Sequence, residues 1–172
     1  MENSPAILFR AAIITDCDAI WKILQHAILR RKNDGSMQWQ DGYPNLETVQ
    51  NDIEKKIGYV LTEDEKVVAY CAILLNDEPA YQHIEGQWLT SGDFYVVHRI
   101  AVSDEVAGKG YAMKIFAAIE NFALQHHIFS IKMDTNFDNA AMLHILKKYG
   151  YTYCGKVHLR KSERLGYEKL LK

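Results

Sequence analysis

The sequence predicts a mixed α/β fold in which helices cover both faces of one sheet. Two early apolar segments, 59–62 and 67–75, flank the polar run 63–66 and predict a hairpin. Later strand-like segments alternate with amphipathic helical segments, which is typical of strands connected through helices. With 172 residues, the chain is long enough to form one domain, 1–172, around its own core.

Two helices are predicted in the first third of the chain. An apolar segment at 7–14 fits a first strand, and the helix after it is predicted to end near Arg31. The apolar residues at helical spacing in this helix are Ile20, Ile23, Leu24, Ala27 and Ile28. Gly35, Gly42 and Pro44 mark 32–44 as a loop. The second helix is predicted to begin after Asn45, because asparagine is a good N-cap residue.

The remaining elements follow the hairpin. Residues 76–92 have no regular pattern, and an apolar strand is predicted at 94–102. A helix from about Tyr111 carries its apolar residues on one face. The last predicted elements are a strand at 130–135, a helix at 139–149, and strands near 151–157 and 164–169.

Composition limits the classes of function. A net charge of −2, with no basic run alternating with aromatic residues, argues against a nucleic-acid partner. No apolar stretch is long enough to span a membrane, and residues 1–5 lack the pattern of a signal peptide. Cys17, Cys71 and Cys154 are odd in number and not spaced as a zinc site. We therefore expect a soluble cytoplasmic protein without a membrane partner or a metal.

The segment 94–112 contains a candidate phosphate-binding turn. An apolar strand leads into Gly108 and Gly110, where no Cβ atom obstructs a ligand, and a helix begins near Tyr111. The first N–H groups of a helix have no partner within it and attract phosphate. The Walker motif G-x-x-x-x-G-K-[ST] does not fit, because Gly110 follows Lys109 where Ser or Thr is required. The dinucleotide fingerprint G-x-G-x-x-G does not fit either, because Met113 occupies the position of its third glycine.

The sequence of this turn resembles the cofactor loop of the GNAT acetyltransferase superfamily, [QR]-x-x-G-x-[GA]. Gly110 and Ala112 match that pattern, whereas Ala107 stands where Gln or Arg is usual. The resemblance covers about 9–169, because 131–135, Asn139 and the Gly-aromatic step in 148–151 follow in the family's order. The segments 38–44 and 98–102 resemble a bacterial subgroup of the family.

This resemblance implies a mostly antiparallel GNAT sheet of six to seven strands and acetyl-CoA as co-substrate, without a metal. The pantetheine arm of acetyl-CoA is expected between the strands at 94–102 and 130–135, paired with the backbone of Ile100, Ala101 and Val102. The pyrophosphate is expected on the next turn. The residues of that turn are Val106, Ala107, Gly108, Lys109, Gly110, Tyr111 and Ala112.

Two of these expected cofactor contacts have another interpretation. Asn139 is positioned to hydrogen-bond the cofactor, but asparagine is also a good helix N-cap. Lys109 is placed to pair with a phosphate, but a lysine in such a loop is equally expected to be solvated.

His98 and Asp134 are the candidates for the base that removes a proton from an amine acceptor. Histidine accepts a proton near neutral pH, although His98 also fits a hydrogen-bonded strand residue. Asp134 ends a predicted strand, where its carboxylate either holds the amine or caps the next turn. In many family members a tyrosine protonates the leaving thiolate, and Leu146 occupies that position here.

The loop between the first two helices is expected to recognise the acceptor, as it commonly does in this family. Trp39 and Tyr43 beside the carboxylate of Asp41 suit a cationic amine. The alternative is a hydrophobic cluster that closes the loop over the core.

The function that this resemblance implies is that of an N-acetyltransferase that moves an acetyl group from acetyl-CoA to a primary amine. The acceptor is expected to be a small molecule or a peptide, and a homodimer is left open. A non-catalytic acyl-CoA sensor, or a transferase with another acyl group or an oxygen acceptor, is the alternative.

Overall fold

The computed structural model describes residues 3–172 and contains one mixed sheet of eight strands with helices on both sides. The strands are β1 Ile7–Ala11, β2 Gly58–Glu63, β3 Lys66–Leu75, β4 Glu85–Gly86, β5 Tyr95–Val102, β6 Ser130–Thr135, β7 Thr152–Leu159 and β8 Ser162–Leu170. The helices are α1 Cys17–Asn33, α2 Leu46–Glu54, α3 Tyr111–Gln125 and α4 Ala140–Lys148. Short 3₁₀ helices cover Ile14–Asp16, Pro79–His83 and Asp104–Val106.

The strand order is β1-β2-β3-β5-β6-β8-β7-β4, and most neighbouring strands are antiparallel. The exception is β5 with β6, which pair in parallel through Tyr95–Ile131 and Val96–Lys132. Beyond Val96, β5 continues to Val102 without a further pair to β6 in the described part of the chain.

The prediction of six to seven strands was wrong, because β4 is an eighth strand within the segment expected to be irregular. It has only two residues, Glu85 and Gly86, which pair with Lys156 and Gly155 of β7. A Cβ atom on Gly86 would lie 2.1 Å from the carbonyl oxygen of Cys154. The strand therefore depends on two facing glycines, and its sequence has no hydrophobic alternation that would predict a strand.

The residues form two compact units. The first contains the chain up to Ile73 and Arg99–Ile119, and its core lies between α1, α2 and strands β2 and β3. Ile20, Leu24, Val49, Val60 and Tyr70 have no exposed surface there. Helical spacing brings the apolar residues of α1 onto one face, and the Asn45 side chain caps α2 by accepting from the Thr48 N–H.

The second unit contains Leu74–His98 and Glu120–Lys172. Strand β8 pairs with both β6 and β7, and the segment 76–94 packs onto this part of the sheet through Tyr81 and Trp88. The segment is closed at its base by hydrogen bonds between Asn76 and Phe94. No helix within residues 3–172 has the length and apolar character needed to cross a bilayer.

Three buried phenols predict a loss of stability at alkaline pH. Burial is the largest effect that raises the pKa of Tyr70, Tyr81 and Tyr151 above that of a free tyrosine. Above about pH 10 the unfolded chain releases these protons while the folded chain keeps them, so the free energy of unfolding falls as pH rises. Each phenol contributes about 1.4 kcal/mol per pH unit in that window.

Urea unfolding between pH 8 and pH 11 measures this slope. Tyr151→Phe removes one of the phenols and should make the decline shallower, whereas an unfolding free energy that stays constant up to pH 11 would contradict the assignment.

Candidate active site

In the second unit, His98 of β5 lies between two carboxylates. Its Nε2 atom hydrogen-bonds Glu78 Oε2 at 2.8 Å, and its Nδ1 atom is 3.7 Å from Asp134 Oδ2, beyond hydrogen-bonding distance. The Asp134 side chain is 8% exposed, and those of His98 and Glu78 are 17% exposed. The structure therefore brings together the two predicted base candidates and adds a second acid.

Glu78 is held by its position at the start of a short helix. It is the N-cap of the 3₁₀ helix Pro79–His83, and its Oε1 atom accepts from the Ala80 N–H at 3.3 Å. Proline at the first helical position fixes the backbone there. The carboxylate thus contacts both the helix end and the imidazole of His98.

Tyr81, from the same short helix, donates its hydroxyl to Asp134 Oδ2 at 2.6 Å. Burial, and then the charges of Asp134 and Glu78, raise the pKa of Tyr81 well above its ordinary value, so the phenol remains a donor. Within residues 3–172, Asp134 Oδ1 has no such donor. One carboxylate oxygen is therefore occupied by tyrosine and the other is left for a further donor.

The capping role considered for Asp134 was wrong, because its carboxylate accepts from a phenol and not from the next turn in the described chain. That turn is held by the Asn136 side chain, which donates to Asp138 at 2.6 Å. Glu78 and Tyr81 were not predicted from the sequence, since they lie in a segment without periodicity. An acid directly before Pro79 was the available signal, because it is typical of a helix start.

In the first unit, the predicted phosphate turn connects β5 to α3. Gly108 and Gly110 have φ angles of +73° and +81°, which strongly favour glycine. A Cβ atom built on either residue meets no other atom within 4 Å. These glycines thus give the turn its backbone shape and leave open space beside it, in front of the α3 N-terminus at Tyr111.

Ion pairs hold the start of this turn. Asp104 pairs with Arg30 and with His26 Nδ1 of α1, the latter at 3.3 Å. The Ser103 N–H donates to the Val68 carbonyl of β3 at 2.8 Å. Lys109 is exposed and donates to the Glu105 carbonyl at 3.3 Å.

The other predicted cofactor contacts lie in β5, in this turn and at the start of α4. Ala101 is buried in the core of the first unit, whereas Ile100 and Val102 are partly exposed. Val106 and Tyr111 are buried, and Ala107 is exposed. In the second unit, Asn139 caps α4 by accepting from the Met142 N–H at 3.2 Å, which confirms its predicted capping role.

Arg99, the residue after His98, is the centre of a buried polar network in the first unit. Its guanidinium donates to both oxygens of Asp52 at 2.9 and 2.6 Å, and to the Tyr43 hydroxyl at 2.5 Å. Tyr70 also donates to Asp52. The Arg99 φ angle is +54°, which is uncommon for a residue with a side chain and marks an irregularity inside β5.

The predicted acceptor loop has mixed surroundings. Trp39 is partly buried and packs against the core of the first unit, as the alternative interpretation expected. Tyr43 contacts Arg99, and Asp41 is exposed. Leu146, at the usual tyrosine position, is fully buried. Within residues 3–172, no group of three or more His, Cys, Asp or Glu side chains is arranged to hold a metal.

Comparisons with known proteins identify the family to which this fold belongs. The model of the GNAT acetyltransferase family matches residues 21–151. The chain is 34% identical to a GNAT-family acetyltransferase of Streptococcus agalactiae 2603 over 96% of each chain, with a TM-score of 0.88. It is 25% identical to an acetyltransferase of Staphylococcus aureus Mu50, over 96% of this chain and 99% of that one, with a TM-score of 0.72.

More distant structures share the fold. The NatC complex bound to Gag peptide and CoA is 12% identical over 96% of this chain and 99% of that one, with a TM-score of 0.66. No curated protein sequence matched the chain. The fold is the one that the chain shares with these acetyltransferases. Because the family model covers most of the sequence, the chain belongs to the GNAT acetyltransferase family and is a transferase.

The Arg99 network predicts an unequal effect of two aspartate substitutions in the first unit. Asp52→Ala leaves a buried guanidinium and a buried phenol without their acceptor, and should lower the free energy of unfolding by about 3–5 kcal/mol. Asp104→Ala breaks a half-exposed pair and should cost less than about 1 kcal/mol. Urea titration of both variants gives the comparison, and equal losses would argue against the network.

Proposed function

We propose that this protein is an N-acetyltransferase that transfers the acetyl group of acetyl-CoA to a primary amine of a small molecule or a peptide. The observation that carries the proposal is the position of His98 between Glu78 and Asp134. An amine acceptor is mostly protonated near neutral pH and must lose a proton before it can attack a thioester.

Glu78 orients the base. An ionised carboxylate accepts hydrogen bonds only, so Glu78 Oε2 accepts from His98 Nε2–H. The lone pair of the neutral imidazole then lies on Nδ1, the nitrogen that faces Asp134. The free oxygen of Asp134 binds the ammonium group, and His98 Nδ1 takes its proton.

The transfer replaces the carbon–sulfur bond of the thioester with a carbon–nitrogen bond. The amine nitrogen forms a bond to the acetyl carbon, the carbon–sulfur bond breaks, and the thiolate of CoA leaves with its electron pair. The attacking nitrogen releases its second proton as the amide forms, and the thiolate takes up a proton directly or through water, because a thiol with a pKa of about 8.5 is mostly protonated at neutral pH. Leu146 has no proton to donate at the usual tyrosine position.

The turn before α3 is proposed to bind the pyrophosphate of acetyl-CoA, which supplies the activated acetyl group. Its open, positive-φ glycines fit the close approach of a phosphate to backbone N–H groups. Residues 100–102 are proposed to pair with the pantetheine arm, and the end of the β5–β6 pairing at Val96 supports this. CoA in the NatC complex, a protein of the same fold, further supports the assignment.

Asn139 and Lys109 are proposed to contribute to cofactor binding, and the loop of Trp39, Asp41 and Tyr43 to acceptor recognition. Loops on a rigid scaffold often carry recognition, and an aromatic ring beside a carboxylate suits a cationic amine.

Replacement of Gly110 tests the cofactor site. Gly110→Ala should weaken acetyl-CoA binding at least tenfold, because its Cβ atom enters the space proposed for the pyrophosphate. Gly35→Ala is the matched control: Gly35 has a φ of +76° against +81° for Gly110, and a Cβ atom meets nothing within 4 Å at either site. Calorimetric titration measures both affinities, and equal values would remove the turn from the cofactor site.

Replacement of His98 tests the base. His98→Ala should lower kcat/KM about a hundredfold or more, with unchanged acetyl-CoA affinity, because only the proton acceptor is lost. His158→Ala is the control, since His158 forms an exposed pair with Glu85 at 3.0 Å in the same unit. Thiol release is measured with polyamines, amino acids, aminoglycosides and peptides as acceptors.

Two outcomes contradict this part of the proposal. Full activity of His98→Ala across the pH range would exclude His98 as the base. Tight acetyl-CoA binding by the wild-type protein without transfer to any amine would favour the acyl-CoA sensor instead.

A further inference from the structure

We propose that Trp88 is a positioning residue for acetyl transfer: it holds Tyr81 so that the phenol orients Asp134 toward the acceptor amine. Lys132 and Glu168, which have no part in the proton transfer described above, hold Trp88 and the residues after it. The inference rests on the proposed function, and all of these residues belong to the second unit.

Trp88 fixes Tyr81 at two points. Its indole Nε1–H donates to the Tyr81 carbonyl at 2.8 Å, and the two ring centroids are 4.9 Å apart. The first contact fixes the backbone of Tyr81, and the second restricts the rotation of its ring. Because the phenol donates to Asp134 at 2.6 Å, small movements of either point would lengthen that hydrogen bond.

Lys132 contacts the same indole ring. Its Nζ atom is 4.7 Å from the ring centroid of Trp88 and 3.8 Å from that of Phe94. Lys132 is only 3% exposed, and although the charge of Glu168 acts on its ammonium group, it forms no ion pair within residues 3–172. A buried ammonium needs a partner, and the faces of these two rings provide one.

Glu168 anchors the chain directly after Trp88. It is completely buried and accepts from the Leu89 N–H at 2.5 Å, the Thr90 hydroxyl at 2.5 Å and the Ser130 hydroxyl at 2.7 Å. It is also the cross-strand neighbour of Lys132 in the β6–β8 ladder. The two buried charges thus act on the same short segment, one through the indole and the other through the backbone.

Gly166 makes room for the indole beside Asp134. Gly166 and Asp134 face each other in the β6–β8 ladder, and a Cβ atom on Gly166 would lie 3.0 Å from Trp88 Cη2. No residue larger than glycine fits here without displacing the ring. The register therefore places Trp88 next to the strand pair that carries the catalytic carboxylate.

The consequence for the reaction follows from the two oxygens of Asp134. Tyr81 occupies Oδ2, which leaves Oδ1 for the amine. If Trp88 no longer holds Tyr81, the carboxylate loses the bond that fixes its rotation, and the amine loses its alignment with His98. Acetyl-CoA binding does not involve these groups and should be unaffected.

Trp88→Phe tests the inference, because it removes the N–H donor and keeps an aromatic ring. With the best acceptor of the amine panel, kcat should fall about tenfold, while KM for acetyl-CoA changes less than twofold. Gly166→Ala keeps the indole but displaces it, and should change kcat in the same direction. Trp21→Phe, a partly buried tryptophan of the first unit, is the matched control and should leave kcat unchanged.

A second measurement needs no acceptor. In protein labelled with ¹³Cζ-tyrosine, the Tyr81 resonance, assigned with Tyr81→Phe, reports the hydrogen bond to Asp134. Trp88→Phe and Gly166→Ala should each shift it in the direction seen for Asp134→Asn, and Trp21→Phe should not.

The results separate the two proposals. A lower melting temperature for Trp88→Phe with an unchanged Tyr81 resonance and kcat would reduce Trp88 to a structural role and overturn the inference. Absence of transfer by the wild-type protein would overturn the proposed function instead, and the resonance would still decide whether Trp88 holds Tyr81 on Asp134.

Discussion

The hydrogen bond between Tyr81 and Asp134 is the interaction on which the candidate site of the second unit depends. It connects an irregular segment, 76–94, to a carboxylate of β6. A carboxylate that is 8% exposed is costly without a donor, and a buried phenol is costly without an acceptor, so each group satisfies the other. The same short helix that supplies Tyr81 also carries Glu78, so one hydrogen bond positions both groups that surround His98.

Glycine decides where this irregular segment lies. Facing glycines at 86 and 155 allow the backbones of β4 and β7 to approach until a Cβ atom on Gly155 would lie 2.3 Å from the Glu85 carbonyl oxygen. Gly166 leaves room for the Trp88 indole in the same way. A segment with only a two-residue ladder can therefore have a defined position, because glycine lets its backbone approach the sheet more closely than a residue with a side chain would.

Buried charge imposes a similar constraint in the first unit. Arg99 has an uncommon backbone conformation and a nearly buried guanidinium. Both are tolerated because the guanidinium donates to Asp52 and to the Tyr43 hydroxyl, and Tyr70 donates to the same carboxylate. Such strain costs on the order of 1–3 kcal/mol and persists only where the surroundings fix it. The irregularity directly follows His98, and the proposed cofactor turn begins seven residues after Arg99, at Val106.

The sequence by itself determined most of the elements and the turn before α3, but neither β4 nor the 3₁₀ helix Pro79–His83. Helical periodicity and caps are local properties, so the strand at 130–135, the Asn45 and Asn139 caps and the start of α3 at Tyr111 were predicted as they occur. Only the tertiary structure decided the partners of the candidate site. Glu78 and Tyr81 have no periodic pattern, and they reach His98 and Asp134 across long sequence separations. Contacts of this kind depend on strand register and on the close approach of glycine backbones. No local pattern of residue types predicts either of them.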